Sequence, residues 1–502
     1  MAIGTVVNFL AKGENMTRLK TISCLFCICG TLLLCAAPAV PAASLPRMYP
    51  TCSYQGSWNE IGKQTAMHFG DTIMYTGMVF NTFMSIGAEE TLAYYDEVKE
   101  LIPASIQEQM EGLAQGLNEY WSIPYDRAWQ WVLIANLGFD IMGKHNLDKE
   151  VQGCTAFALQ SDAGTFLCHN TDNSSANVDL GSLIYYQPDN GDNAFLSFFA
   201  AAFVGAALAV NDQGLAITYN VGGRNKNPAA GLTVLFKTRE VMATCGSVAE
   251  AVESFQGFLD AGGTYGYATS NFLFVDFKDS SMARIQVCSR EIKVTYGQPL
   301  KPGVTCIAYT NEFDDDFSRR TEADLAKTSV ISSQTRYKRL MELLPGLEKY
   351  DLETCWEILT DKSGGESDNN TICRRGQSTI TTLANIFTAD TAYYAVGPPC
   401  EYLSEYGAPM AVSMAQKVRP AITGQVTALG KPLAHAQVVL ESTSAKGMTL
   451  KTYTNESGAY LFNNLESDTY KVRVKKFPHF PGRRVVDFQK GQQQTVDIKL
   501  LF

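Results

Sequence analysis

Histidine is scarce in this chain. Of 502 residues five are histidine, and only His68, His145 and His169 lie before position 419. That leaves little material for a Cys–His or Ser–His pair, and His435 and His479 are far from metal-ligand spacing. After position 35 no Cys-x-x-Cys pair occurs, which argues against a zinc ribbon, and no metal or other cofactor is expected. Positive charge is short as well. The 41 Lys and Arg against 51 Asp and Glu leave a net charge of −10, which excludes the basic face of a nucleic-acid binder. Long low-complexity tracts and internal repeats are missing. What remains is an ordinary globular composition, 46% hydrophobic and 18% charged, on a chain long enough for two or three domains.

The N-terminus reads as an export signal. Met16-Thr17-Arg18-Leu19-Lys20 is a positive n-region and the natural start of translation, and Ile22 to Cys35 is an apolar run short for a membrane span. Ala37-Pro38-Ala39 and Val40-Pro41-Ala42 offer small-residue cleavage sites. Leu32-Leu33-Leu34-Cys35 hints at lipidation, but the bulky Leu34 argues against it. A secreted or periplasmic protein is therefore expected, ahead of a membrane-anchored one. Four of the 13 cysteines (Cys24, Cys27, Cys29, Cys35) fall in this signal, which leaves nine. If Cys154 stays free, eight remain, an even number that suits disulfides in an oxidising compartment.

The patterning divides the chain into four segments: a signal at 1–43, a helical segment at 44–153, a strand-rich core with paired helices at 154–418 and a small β-sandwich at 419–502. Residues 56–142 carry apolar residues at three- and four-residue spacing, broken at Pro103 and restarted at Pro124. From Cys154 the texture turns to strands. "CTAFALQ" and "TFLCHN" flank Ser161-Asp162-Ala163-Gly164, and "GAALAV" and "LAITYN" flank Asn211-Asp212-Gln213-Gly214, two hairpin patterns. Two helices, four strands, two more helices and a last hairpin complete an α+β arrangement of layers. Beyond Pro420, short alternating strands with Gly, Asn and Ser turns predict a sandwich of about 80 residues, a size that folds alone.

Cys154 stands directly after Gly153 at the start of a strand. A cysteine thiol is strongly nucleophilic, and a preceding glycine has no side chain to obstruct attack on its carbonyl. An N-to-S acyl shift and hydrolysis would cut the chain at Gly153-Cys154 and free the Cys154 α-amine. That amine, with an ordinary pKa of about 7.7–8.0, can act as base for its own thiol without any histidine.

Several motifs, in order, carry a resemblance. Gly153-Cys154-Thr155 with Asn170-Thr171-Asp172, "EGLAQG" (Glu111–Gly116), "VNDQGLAITYN" ending at Asn220, "YTNEF" (Tyr309–Phe313) and "NNTICRR" (Asn369–Arg375) together resemble the acyl-coenzyme A:6-aminopenicillanic acid acyltransferase family (peptidase family C45) of the N-terminal nucleophile hydrolases. The likeness spans roughly 56–399. It implies a four-layer αββα core preceded by the helical pro-segment. It also implies that Cys154 is nucleophile for self-cleavage and turnover, and that Asp172 orients its α-ammonium. Asn311 would donate its side-chain amide to the oxyanion, with Asn220 and Asn170 as weaker members of the same catalytic set. Arg374 or Arg375 would face the site. Tyr309 stands where the family often has His, and Thr171 where an aromatic is frequent. His169-Asn170-Thr171 is also similar to the lysosomal phospholipase B-like branch. The C-terminal piece, through "GQVTALGKPLAHAQV" and "TNESGAYLFNNLESDTYKV", resembles carboxypeptidase regulatory-like domains and implies adhesion, substrate presentation or stabilisation.

The function expected is a secreted, self-processing amidohydrolase or acyltransferase acting on a linear carbon–nitrogen amide through an acyl-Cys154 intermediate. Its partners would be a small-molecule amide or acyl donor, its own two cleaved chains held together, and a cell surface met by the C-terminal domain. Two alternatives stand beside it. One is a catalytically inert cell-envelope binding protein that works through its β-sandwich. The other is a cysteine protease pairing Cys154 with His169, although alternation along the strands would turn that histidine away.

Overall fold

The computed structural model describes Tyr49 and residues 51–501, apart from positions 84, 146–152, 315, 318–321, 324–326, 364–368, 378, 414–419, 435, 444–448, 455–456, 464, 466–467, 477–478 and 490–491. The expected signal, Met16, both cleavage motifs and His435 lie outside the described residues.

A short strand, β1 (Thr51–Gly56), precedes four helices: α1 (Trp58–Phe83), α2 (Ala88–Val98), α3 (Ala104–Trp121) and α4 (Tyr125–Lys144). The "EGLAQG" stretch lies in α3, and its glycines explain how α3 meets α1. A Cβ at Gly112 would fall 1.9 Å from the Asn59 carbonyl oxygen, and one at Gly116 would fall 2.6 Å from that of Lys63. Only hydrogen at both positions lets the two backbones touch. Ile106, Met110, Leu113 and Leu117 of α3 are buried in one cluster with Leu133 and Leu137 of α4.

The chain then builds two sheets. The elements are β2 (Cys154–Ser161), β3 (Gly164–Asn173), β4 (Gly181–Pro188), β5 (Phe195–Ala200), β6 (Ala209–Asn211), β7 (Leu215–Asn225), α5 (Val234–Thr244), α6 (Val248–Asp260), β8 (Ala268–Asp276), β9 (Met282–Val287), β10 (Ile292–Tyr296), β11 (Gln298–Lys301), β12 (Val304–Tyr309), β13 (Glu322–Ala323), α7 (Lys327–Gly346), α8 (Leu352–Leu359), β14 (Ile380–Phe387), β15 (Thr391–Val396), α9 (Pro399–Tyr406) and β16 (Met410–Ser413). One sheet runs β1-β4-β5-β6-β7-β8-β9-β10 with β13 beside β7; the other runs β11-β12-β2-β3-β14-β15-β16. Every residue of β8 and β9 is buried. β9 nevertheless alternates: Ala283, Ile285 and Val287 enter one core, and on the other face the buried Arg284 guanidinium donates to Asn271 Oδ1 at 2.8 Å. Phe255 of α6 and Val241 of α5 share a core with Phe272, Phe274 and Ile285 of the first sheet. Leu340, Ile358 and Tyr402 of α7, α8 and α9 share another with Phe157, Phe166 and Ile386 of the second.

Several contacts tie the segment before Cys154 to the chain beyond it. β1 pairs in parallel with β4, Thr51 opposite Leu183. The Arg239 guanidinium on α5 lies 3.4 Å over the Trp58 ring and donates to Ser105 Oγ at 2.9 Å. Asn136 on α4 receives the Val204 N–H at 2.7 Å.

The last strands are β17 (Pro420–Ala428), β18 (Lys431–Pro432), β19 (Gln437–Ser442), β20 (Thr449–Tyr453), β21 (Ala459–Asn463), β22 (Asp468–Lys475), β23 (Gly482–Phe488), β24 (Gln494–Thr495) and β25 (Ile498–Leu500). They form two sheets, β18-β17-β21 with β24 and β25 beside β17, and β20-β19-β22-β23. Along β22 Tyr470, Val472 and Val474 are buried while Lys471, Arg473 and Lys475 are exposed, the period-two pattern of a strand with one covered face.

Candidate active site

Cys154 is the first residue of β2, and antiparallel pairing sets Thr171 of β3 opposite it. The tight turn between the strands, with Gly164 at φ 129°, fixes this register. One residue further, the Asp172 N–H donates to the Gly153 carbonyl oxygen at 2.8 Å. The Cys154 N–H donates to Asn311 Oδ1 at 3.0 Å, and Asn311 Nδ2 donates to the Val221 carbonyl at 2.9 Å. Asn311 thus turns its oxygen, and not its amide N–H, to the Cys154 nitrogen. The donor role implied for it would require that amide to leave Val221.

Arg336 on α7 is buried beside them. It donates from Nη2 to Asn311 Oδ1 at 2.9 Å, and from Nη1 to Thr155 Oγ1 at 2.9 Å and to the Cys154 carbonyl. Asp172 accepts from the Thr381 hydroxyl at 2.8 Å, and its other oxygen lies 3.6 Å from Arg374 Nη1. A Cβ built on Gly153 would fall 2.5 Å from Arg374 Nη1 and 2.7 Å from Arg336 Nη2. Two buried guanidiniums therefore close on the one residue without a side chain.

Burial governs the charges. It pushes the Cys154 thiol up to about 12, the Asp172 charge adds to this, and Arg336 and Arg374 offset part of it. The thiol is therefore protonated at neutral pH. Burial also raises the Asp172 carboxyl against the pull of Arg374 and Arg336, and lowers Arg336 to about 10.

The other predicted residues fall in different places. Asn220 on β7 is buried; it donates to the Thr310 carbonyl at 2.8 Å, and its Oδ1 lies 3.0 Å from His169 Nε2. His169 Nε2 also faces the Tyr219 carbonyl at 3.0 Å, so this nitrogen carries the proton and Nδ1 accepts from Thr171 at 3.1 Å. Burial lowers this histidine to about 4. His169 is opposite Ala156, two residues along from the Cys154–Thr171 pair, so it shares the face of Cys154 instead of turning away. Both its nitrogens are engaged with other groups, and no hydrogen bond joins it to Cys154 among the described residues. Asn170 points to the opposite face. Its Nδ2 donates to the Leu359 and Ile372 carbonyls, both at 2.9 Å, and braces α8 against β3 away from the thiol. Arg375 is half-buried, its backbone bridged to Ile380.

A cavity of about 230 Å³ reaches Cys154, Thr171 and Asp172. Tyr75 and Phe80 of α1, Phe139 and Met142 of α4, and Phe198 and Phe199 of β5 line it. Segments from both sides of Gly153 thus form one apolar chamber. Cysteine pairing differs from expectation: among the described residues one disulfide, Cys373–Cys400, is formed, and Cys154 is a buried thiol outside it. Cys168, Cys306 and Cys355 are packed in the apolar core of the second sheet as small hydrophobes.

A family model described as acyl-coenzyme A:6-aminopenicillanic acid acyl-transferase matches residues 159–400, and one described as carboxypeptidase regulatory-like domain matches 421–501. Residues 159–400 belong to that acyl-transferase family. No curated protein sequence matches the chain. Among solved structures it is similar to a Caenorhabditis elegans N-acylethanolamine-hydrolyzing acid amidase ortholog (15% identity, 47% of this chain and 93% of that one, TM-score 0.32). It is also similar to a mutant conjugated bile acid hydrolase from Clostridium perfringens (15%, 52% and 92%, 0.34). A third likeness is to penicillin V acylase from Agrobacterium tumefaciens (12%, 52% and 87%, 0.31). Within this acyl-transferase domain, sequence reasoning missed Arg336, Thr381 and Ser333, whose Oγ accepts the Asn311 N–H at 3.1 Å. None stands in a motif, and an arginine on a polar helix reads as solvated.

Proposed function

We propose that the chain is a secreted, self-processing acyl-transfer enzyme that cleaves a linear amide bearing an apolar acyl group. The observation that carries this is the placement of Cys154, first in its strand and on the wall of an apolar chamber, with the preceding carbonyl already held by an N–H. Within a four-layer αββα core, Cys154 Sγ attacks the Gly153 carbonyl carbon. The oxyanion forms on the oxygen that the Asp172 N–H holds. The carbon–nitrogen bond then breaks, the thiol proton passes to the departing nitrogen, and a thioester remains. Water hydrolyses it to a Gly153 carboxylate and a free Cys154 with its α-amine. In turnover that amine takes the thiol proton, and Asn311 Oδ1, which faces the nitrogen, orients it. The thiolate takes the acyl group from the substrate amide, the proton goes to the leaving amine, and water releases the acid; an amine acceptor in place of water gives transfer.

The chamber is smaller than the roughly 300–1,000 Å³ of pockets that enclose whole drug-sized ligands, so it suits the acyl arm and leaves the amine outside. The signal-like N-terminus favours water as acceptor. The β1–β4 pairing and the Arg239 and Asn136 contacts support two cleaved chains that stay associated.

Intact-mass and N-terminal analysis of the purified protein, beside a Cys154→Ala variant, tests the reading. A fragment beginning at Cys154, absent from the variant, is expected, together with release of acid from N-acyl amines. A folded wild-type chain that stays whole would overturn it.

A further inference from the structure

The four most exposed large apolar side chains among the described residues are Leu429 (76%), Leu501 (74%), Phe480 (65%) and Val485 (65%), and all four belong to the β-sandwich. Three of them converge. β17 and β25 run in parallel with Ala428 opposite Leu500, so Leu429 and Leu501 are the next residues at the same end. The Phe480 N–H donates to the Leu501 carbonyl at 3.0 Å. Scattered exposed hydrophobics are ordinary, but three on one tip form a patch.

The tip also departs from what its backbone favours. Leu429 has φ 50° and Gly430 φ 77°, the left-handed pair of a tight hairpin turn. Asn-Gly is the natural occupant of such a turn, and a leucine there is strained. A large apolar residue held outward at local cost marks a contact surface.

A basic collar surrounds the tip. Lys431 follows the turn, Lys499 lies two residues before Leu501, and Arg483 and Arg484 begin β23, all exposed. A Cβ on the adjacent Gly482 would touch Ile498 and Leu500, so β23 starts beside the end of β25. Lys471, Arg473 and Lys475 extend the basic face along β22, with Glu441 paired to Arg473 at 2.9 Å and Asp487 and Asp497 as the nearby acids. The segregation runs through the whole chain. Residues 419–502 hold 12 Lys and Arg against six Asp and Glu, a net +6, while the chain totals −10, so residues 1–418 carry −16.

We infer that the sandwich docks on an anionic lipid surface, with Leu429, Phe480 and Leu501 entering the headgroup layer and the collar meeting lipid phosphates and carboxylates. Apolar side chains inside a cationic ring match an interface that is apolar within and negative at its rim. The acidic remainder of the chain is repelled by the same surface. The inference is independent of the catalytic reading, because it concerns a surface without the nucleophile.

The test is sedimentation of the full protein, carrying Cys154→Ala, with phosphatidylcholine vesicles containing or lacking phosphatidylglycerol. Binding to the anionic vesicles alone is expected, weakened by salt. Neutralising Arg483 or Arg484 with Gln should weaken it about fivefold per charge. Leu429→Asn separates docking from folding: the turn prefers Asn, so the melting temperature holds or rises while binding falls. Equal sedimentation of wild type and Leu429→Asn, or no binding to either vesicle, would overturn the inference. So would retention on a sulfated polysaccharide column that is sensitive to the arginines and indifferent to Leu429 and Phe480, together with absence of vesicle binding.

Discussion

Arg336 aims Asn311 at Cys154: one side-chain oxygen of Asn311 accepts from Arg336 Nη2 at 2.9 Å and from the Cys154 N–H at 3.0 Å. The fork of one guanidinium spans Asn311, Thr155 and the Cys154 carbonyl, which a point charge cannot do. Arg336→Met should slow self-cleavage by about 10²–10³-fold, the scale of losing a positioned donor. It should also cost about 3–5 kcal/mol, because Asp172 keeps only one of two cationic neighbours. Arg336→Lys should fall between. The rate at which a Cys154-initiated chain appears, with a denaturant midpoint for each variant, checks both. A folded Met variant that cleaves at the wild-type rate would remove Arg336 from the mechanism.

Gly153→Ala should separate space from chemistry. The added methyl would crowd Arg374 Nη1 at 2.5 Å and Arg336 Nη2 at 2.7 Å. Both are tips of long side chains, so they move rather than block folding, and they move away from Asp172 and Asn311. The expected cost is about 1–3 kcal/mol, with cleavage slowed at least about tenfold. Gly257→Ala is the control. Nothing lies within 4 Å of a Cβ there, and alanine in α6 should be neutral or stabilising. Equal cleavage in both variants would rule out crowding of the arginines as the reason for glycine at 153.

The local part of this site was legible in the sequence. Cys154 and Asp172 belong to one hairpin, whose short turn sets Thr171 opposite Cys154 and the Asp172 N–H against the Gly153 carbonyl without any distant contact. Asn311 lies 157 positions away, and only its resemblance to a family motif pointed to it. Arg336 was illegible because its helix pattern gives no reason to bury a guanidinium. What buries it is the packing of α7 against β12 and β2, a tertiary fact. β1 was missed for a similar reason: six residues before a long helix become a strand only because β4, far downstream, pairs with them. The cysteines misled in the opposite direction, since an even count in a chain expected to be exported suggested bridges where most thiols fill the core.

The Cys373–Cys400 bridge should matter to the site as well as to stability. It closes a separation of 27 residues, worth about 3–4 kcal/mol by loop entropy. It also ties the residue before Arg374 to α9, while the Arg374 N–H donates to Thr381 Oγ1 at 3.0 Å. A Cys373→Ser/Cys400→Ser protein should unfold at lower denaturant and cleave itself more slowly at a temperature where it is still folded. Lower stability with unchanged cleavage would confine the bridge to a structural part.

Asp140 should make stability rise on mild acidification. It lies on α4, before Cys154 in the chain, and accepts the Ala268 N–H at 3.2 Å from beyond it. Burial raises its carboxyl to about 6, only partly offset by Thr233 and the Ala268 and Tyr267 N–H groups. Its folded value thus exceeds its ordinary 3.8. Its contribution is therefore fully present below pH ~4 and is lost as pH rises through ~6, a change on the order of 3 kcal/mol. His169 acts in the opposite sense. Its folded value of about 4 lies below the ordinary 6.5, so acidification through that window costs stability. The wild-type curve mixes the two, and Asp140→Asn removes only the first. Measured by denaturant midpoints from pH 4 to 8, the variant should be the more stable protein at neutral pH, and the gap should close towards pH 4. Parallel curves for the two proteins would mean that Asp140 stays ionised in the fold, with a partner that compensates its burial.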